Sequence, residues 1–576
     1  MAPKVIVIGL DGATFTLLKP WMDAGHLPSL KALMEQGASG PLRSSIPPVT
    51  VPAWQCFMTG KNPAKIGVAG FFVQKPGTYD EVPVSAAHCK GRSLWELLNE
   101  GGQRVAVLNV PYTVAPKDCD GVFIGGFDTP PARIAEAVHP PGLLAEIERE
   151  FGPYRVYLTS PQWLAPLLTI NRFEFAIETF IADCQGLTDY QFRVANWLLG
   201  RDDFDFVMLY QLAPDRIQHW LWYILDDTHP WHDPAVAARY RDRIIAYYDR
   251  LDAEIGRLIR NAGGDPVVMI VSDHGFGSVA KGIDLNSFLL REGYLAIRDR
   301  PSARFKHLLW RLGWGPQTLI RPLLRRPLRW KFVQRRILKA FTSQQRFHAW
   351  DEIMRILNRA CFLATSDIDW TRSRAYCLSE FGMIRLNVRG REPHGVVDPA
   401  EYPALRDRLV ERLRALVDPA RGPVDADVFT KEATYHGEYL DAMPDIAFIP
   451  FKTPYLAVNS VTFVTRGVFI DDIGVTGFHQ MDGILIAKGP SIRKGATVET
   501  ATLMDIAPTI LHVLGLPVPD DMDGRVVTEM LEAHALDERP VTYAAAAAGP
   551  VRDELELSEA DQAAVLERLR GLGYID

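Results

Sequence analysis

Short, almost wholly apolar runs punctuate the chain, and between them lie stretches in which apolar residues recur every three or four positions. VIVIGL (5–10) precedes the helix-period segment LPSLKALMEQG (27–37), and RSLWELLNEGG (92–102) runs into VAVLNV (105–110). FDFVMLY (204–210) precedes a long amphipathic stretch from Ala237 to Asn261, which leads to PVVMIVS (266–272). Continuous apolar strands alternating with helical periods predict an α/β fold: a large, mostly parallel sheet covered by helices on both faces. The rhythm fails after about residue 288 and returns in AYCLSEF (375–381), MIRLNV (383–388), DIAFIP (445–450) and GILIAKG (483–489). The pattern therefore predicts an α/β core in two parts, 1–295 and 367–535. A mainly helical insertion or cap at 296–366 interrupts it, and a helical tail follows at 536–576.

Composition narrows the class. With 576 residues, 47% hydrophobic and 23% charged, the chain has enough apolar material for a large core. The formal net charge of −7 hides one asymmetry: residues 301–350 carry many Lys and Arg and no Asp or Glu. Trp310, Trp314, Trp330 and Trp350 are interleaved with these cations. Such a segment suits a solvated cap, a lid over an anionic substrate, or a patch that touches an anionic membrane surface. Nucleic acid ranks last as a partner, since no recognised nucleic-acid motif accompanies the basic residues. The six cysteines show no CxxC spacing and suit reduced thiols. No secretory signal and no apolar run long enough to span a bilayer is evident, so the expected location is cytoplasmic, with peripheral membrane contact through 301–350.

The chemistry gathers where strands end. VIVIGL stops at Asp11-Gly12, FDFVMLYQLAP at Asp215, and VVMIVS at Asp273-His274-Gly275. In open parallel sheets, ligands bind beyond the carboxyl ends of the strands. Asp-Gly is also ordinary turn chemistry, but three such aspartates with histidines beside them favour a site. Asp215 and His219, four apart, share one face of a helix that begins there. His479, in a Gly-flanked loop before GILIAKG, completes a set of three Asp and three His. Such mixed oxygen and nitrogen donors suit zinc, with manganese or iron as further candidates.

Thr50 precedes Pro52 at the start of a helix-compatible stretch, where threonine is also a good capping residue. A helix N-terminus favours a phosphate, and a bound cation lowers the pKa of a nearby hydroxyl, so Thr50 is equally a candidate nucleophile.

GLDG with Asp11, PPVTVPAW with Thr50, APDRIQH, VSDHGFG, GFHQMDG and DIAPTILHVLGLP occur in the order seen in the alkaline phosphatase superfamily. The chain most resembles its type I phosphodiesterase/nucleotide pyrophosphatase branch, over about 1–290 and 375–530. The resemblance implies two divalent metal ions, zinc foremost and manganese second. Asp215, His219 and His479 would hold one; Asp11, Thr50, Asp273 and His274 would hold the other. It further implies a phosphoric-ester hydrolase in which Thr50 attacks phosphorus and a phosphothreonine is then hydrolysed. The substrate would be a small-molecule or lipid-linked phosphate ester. The same residues would serve a phosphotransferase or mutase, and a metal-bound membrane or polyanion scaffold without turnover is the reading from another class.

Two departures stand out. Where the branch has a phosphate-holding Asn, this chain has Phe71, and where a His is usual it has Ile66. Cys56, six residues past Thr50, does not stand where sulfatases carry their formylglycine.

Overall fold

The computed structural model describes residues 4–571 apart from 117, 160–173, 316–359, 379–380, 451, 459–462, 464–465, 472, 548 and 550–556. The predicted runs VIVIGL, VAVLNV, FDFVMLY, PVVMIVS and GILIAKG form strands of one ten-stranded sheet, whereas those at 375–381, 383–388 and 445–450 contribute to a separate four-stranded sheet. In chain order the strands of the large sheet are β1 (Val5–Leu10), β2 (Ala38–Arg43), β3 (Val105–Leu108), β4 (Gly121–Ile124), β5 (Val138–His139), β6 (Phe206–Gln211), β7 (Val267–Val271), β8 (Asp482–Lys488), β9 (Ala496–Thr497) and β10 (Ala501–Thr502). They lie in the order β9-β2-β8-β7-β1-β6-β3-β4-β5, with β10 also beside β2. The centre, β7-β1-β6-β3-β4, is parallel throughout, whereas β8 runs antiparallel to β7 and β2, and β5 to β4. The α/β expectation with a mostly parallel sheet holds.

Every residue of β1, β6 and β7 is buried, as strands covered on both faces must be. Helices α1 (Thr50–Thr59), α2 (Glu174–Leu199), α3 (Ala213–Leu225) and α4 (Pro234–Ala262) pack around this centre. Helix α4 follows the amphipathic stretch read from sequence and starts on an Asp233 cap.

A second buried cluster joins Ile283–Leu295 to residues between Leu363 and Val468, so it draws on chain from both sides of the basic segment. The strand read at 375–381 shortens to Ala375–Tyr376, and that at 383–388 to Met383–Leu386. Of the basic segment, Pro301–Arg311 is a helix that buries Ala303, Lys306 and Trp310. Most of 301–350, and with it the membrane-surface reading, lies outside the described residues. All six cysteines are unbridged. Among the described residues no helix is long and apolar enough to cross a membrane.

Candidate active site

Register brings the strand ends together. Leu10 pairs with Gln211 and Gly9 with Val271, so Asp11, Asp215 and Asp273 emerge side by side at the carboxyl edge of the sheet. Two glycines let neighbouring elements close on this edge. A Cβ at Gly9 would stand 2.5 Å from the Trp54 ring, so the glycine allows α1 to lie against β1 and fixes where its first residue, Thr50, arrives. Gly12 holds φ +66°, and a Cβ there would meet Phe276 at 2.8 Å and the Asp215 backbone at 3.3 Å.

Asp215 and His219 occupy successive turns of α3, both buried. His479 sits in the short strand Gly477–Gln480, paired antiparallel to Gly275–Ser278, rather than in the loop expected from its glycine neighbours. This ribbon brings it to Asp215: His479 Nε2 is 3.4 Å and His219 Nε2 3.3 Å from Asp215 Oδ1, and the two ring nitrogens are 3.1 Å apart. The opposite nitrogens face carbonyls, His219 Nδ1 at 3.0 Å from Gly477 O and His479 Nδ1 at 2.8 Å from Pro48 O. Carbonyls accept only, so each Nδ1 carries the proton and each Nε2 turns a lone pair inward.

Asp11, Asp273 and His274 make a second group. His274 Nε2 lies 3.4 Å from Asp11 Oδ1 and 3.3 Å from Asp273 Oδ2. The His274 ring stacks on that of His479 with centroids 3.5 Å apart, so the two groups adjoin. Six of the seven residues named from sequence thus converge in two triads, each able to present its ligand atoms to one ion. Thr50 is fully buried as the first residue of α1. Val49, not Thr50, occupies the N-cap position, and Val49 makes no side-chain cap bond. Pro48, two residues earlier, is the carbonyl that holds His479.

The donor set fits a pair of divalent cations. Asp11 Oδ1, Asp273 Oδ2 and His274 Nε2 are buried without a hydrogen-bond partner, yet they point at one another. Buried polar atoms are rarely left so. Charge agrees. Burial, then the Asp273 and Asp215 carboxylates, push Asp11 well above the ordinary range, and burial beside Asp215 pushes Asp273 up to about 7. Burial opposes ionisation of Asp215 too, but the Arg216 guanidinium and the His219 ring hold it well below the usual value. Burial lowers His219 to about 4 and, with the His479 ring, carries His274 well down, so the rings are neutral.

Several supporting residues escaped the sequence reading. Tyr210 donates its hydroxyl to Asp11 Oδ2, Arg216 donates to Asp215 Oδ2, and Gly12 N–H donates to Asp273 Oδ1 at 3.2 Å. Each aspartate therefore has one oxygen clamped and turns the other inward. Gln218 Nε2 donates to Gly12 O at 2.8 Å, and Ser44 Oγ to Asp273 O at 2.5 Å. A tyrosine inside a strand and an arginine inside a helix carry no local signal; only proximity to Asp215 along the chain pointed this way. His229 and His436 stand apart from both triads and bond Val279 O and Asp523.

The two departures are both buried. Phe71 packs 6.3 Å from Phe381, whose ring lies 6.1 Å from His479. Ile66 closes the short helix Pro63–Ile66.

Several solved structures are similar to this chain over most of its length. Human ectonucleotide pyrophosphatase/phosphodiesterase 5 matches at 13% identity over 92% of this chain and 100% of its own, with a TM-score of 0.46. The inactive murine counterpart in complex with AMP gives 13%, 92%, 100% and 0.47. Phosphonoacetate hydrolase from Sinorhizobium meliloti 1021, in complex with phosphonoformate, gives 14%, 88%, 94% and 0.48. Residues 5–455 match the family described as type I phosphodiesterase / nucleotide pyrophosphatase. The chain belongs to that family of metal-dependent phosphoric-ester hydrolases, within the alkaline phosphatase superfamily.

Proposed function

We propose that the protein hydrolyses phosphoric esters at this edge, with Thr50 as nucleophile. The observation that carries the reading is the convergence of orphaned acceptors Asp11 Oδ1, Asp273 Oδ2 and His274 Nε2 beside the inward-facing nitrogens of His219 and His479. Asp215, His219 and His479 would hold one divalent cation and Asp11, Asp273 and His274, with Thr50, the other; zinc suits this donor set, with manganese second. When bound, the pair lowers the pKa of the Thr50 hydroxyl and offsets charge on the attacking and leaving oxygens.

The chain's own residues do the rest. Thr50 Oγ1 forms a bond to phosphorus as the ester oxygen leaves and takes up a proton, giving a phosphothreonine. Water then attacks that phosphorus, and the bond to Oγ1 breaks to regenerate Thr50. As first residue of α1, Thr50 lies at the helix end whose dipole favours a phosphoryl anion. Tyr210, Arg216 and the Gly12 N–H keep the three aspartates aimed.

The test is hydrolysis of bis-p-nitrophenyl phosphate and p-nitrophenyl phosphate by metal-supplemented wild type and Thr50→Ala. Turnover should fall at least about a thousandfold in the variant with metal content unchanged. A phosphorylated Thr50 should be trapped by acid quench in wild type only. Normal activity in the variant would remove Thr50 from the chemistry. Transfer to an added alcohol in preference to water would make the protein a phosphotransferase.

A further inference from the structure

Every residue of α1 is buried, so packing holds the body of the helix that begins with Thr50. Its two ends are met by a segment that belongs to the other sheet. There the strands Asp427–Thr430 and Ile446–Ile449 pair antiparallel, with Thr430 opposite Ile446. Neighbours paired in this way can be joined by a two-residue turn. Residues 431–445 instead leave the sheet and return to the point of departure. Lys431 closes the base of this excursion: its N–H donates to Asp445 O at 3.0 Å, and its ammonium stands 3.2 Å from Asp445 Oδ1. Ordering so long a connection costs conformational entropy that strand pairing does not demand, and such loops are usually functional.

The tip of the excursion reaches the chain on either side of α1. Ahead of the helix, the buried Tyr435 donates its hydroxyl to Ile46 O at 2.8 Å. Beyond the helix, Asn62 Nδ2 donates to His436 O and Tyr439 N–H donates to Ala64 O, both at 2.8 Å. Between these contacts Gly437 holds φ +140°, and a Cβ there would stand 2.7 Å from the Lys65 side chain and 2.8 Å from Ala64 O. So close an approach needs glycine. Tyr435 also packs with Ala64 and Met443, against Ile46. In the run into Thr50, then, Ile46 O is taken by Tyr435 and Pro48 O by His479. One carbonyl ties the run to a triad, the other to the second sheet.

We propose that Tyr435 is a positioning residue for Thr50. Its hydroxyl, through Ile46 O, fixes the run into α1, while His436 and Tyr439 hold the chain beyond the helix, so that Thr50 Oγ1 keeps one attacking position. This rests on the reaction proposed above. A nucleophile displaced by about 1 Å can lose a hundredfold in rate, so a single anchoring bond has a measurable effect.

The test compares wild type, Tyr435→Phe and Asn62→Ser with metal supplied and p-nitrophenyl phosphate and bis-p-nitrophenyl phosphate as substrates. Tyr435→Phe keeps the ring and deletes the donor to Ile46 O. Asn62→Ser keeps a side chain that can cap the short helix Pro63–Ile66 but lacks the amide that reaches His436 O. In Tyr435→Phe, kcat should fall about tenfold or more, and phosphothreonine formation measured by rapid acid quench should slow by the same factor. KM, the inhibition constant of inorganic phosphate and the bound metal should stay within about twofold of wild type. Asn62→Ser should show the same split with a smaller fall.

A kcat in Tyr435→Phe within about twofold of wild type would overturn the proposal, whatever Asn62→Ser does. So would a loss of bound metal that matches the fall in kcat, because Tyr435 would then act on His479 through the run to Pro48. Thr50→Ala separates the two readings. If that variant is inactive while Tyr435→Phe is normal, only the positioning role fails. If it is fully active, or if wild type forms no phosphothreonine and turns over neither ester, the reaction and the positioning role fail together.

Discussion

Asp445 and Asp273 are both fully buried carboxylates, and the fold treats them oppositely. Asp445, in the second core, accepts from Arg391 through both oxygens at 2.8 and 2.6 Å, from Leu386 N–H at 2.6 Å and from the Tyr402 hydroxyl at 3.0 Å. Lys431 stands 3.2 Å away. Burial would raise this carboxyl, but Arg391 and then Lys431 hold it down at about 2. Asp273 has Gly12 N–H on one oxygen, no hydrogen bond on the other, and Asp11 and Asp215 for company. A buried charge must be compensated. At Asp445 the chain supplies the cations itself. At the sheet edge it supplies Arg216 against three carboxylates and leaves the remainder for something from outside. An ion-pair network of the first kind is structure; a deficit of the second kind marks a site.

The largest effect that sharpens this contrast is metal removal. Prolonged chelation should cut ester hydrolysis by more than about a thousandfold, and zinc or manganese should restore it. Metal-free protein retaining activity within about tenfold would mean that the deficit is compensated some other way. Next in size is removal of a carboxylate from each region. Asp445→Ala removes the buried carboxylate that Arg391 and Lys431 share and should cost about 3–5 kcal/mol in denaturant unfolding. Asp273→Asn in metal-free protein at about pH 8 removes an uncompensated charge and should be neutral or stabilising. Equal losses in the two variants would erase the distinction.

A smaller effect tests the clamps. Tyr210→Phe deletes the donor on Asp11 Oδ2, and loss of such an outer hydrogen bond typically weakens metal binding about ten- to a hundredfold. Competition against a chelating dye measures this directly, and unchanged affinity would reduce Tyr210 to packing against Trp54, where its ring lies 5.4 Å away.

What was legible in the sequence follows from how far each interaction reaches. Asp11, Asp215 and Asp273 could be found because each ends a strand and the carboxyl-edge rule needs no partner identified. Asp215 and His219 were paired by helical spacing alone. His479 could be named but not placed, because the ribbon that carries it pairs with Gly275–Ser278, some two hundred residues away. Tyr210 and Arg216 were invisible for the same reason: what they do is set by register and burial across elements. The antiparallel β8 also escaped, since a fully buried strand reads alike in either direction.

The smallest effect separates the two regions by pH. Asp445 has a folded-state pKa of about 2, below the ordinary value of about 3.9. A carboxyl lowered by folding stabilises the protein wherever it is ionised, so its contribution is complete above about pH 4 and disappears as the pH falls towards 2. The shift corresponds to roughly 2–3 kcal/mol, which should appear as a falling acid limb in unfolding free energy over that window. Asp445→Asn should flatten the limb, because the amide has no proton to gain. Tyr210→Phe, which touches only the metal-dependent region, should leave it in place. A limb that survives Asp445→Asn would mean that acid sensitivity belongs to other carboxylates and that the Arg391 network is weaker than its geometry implies.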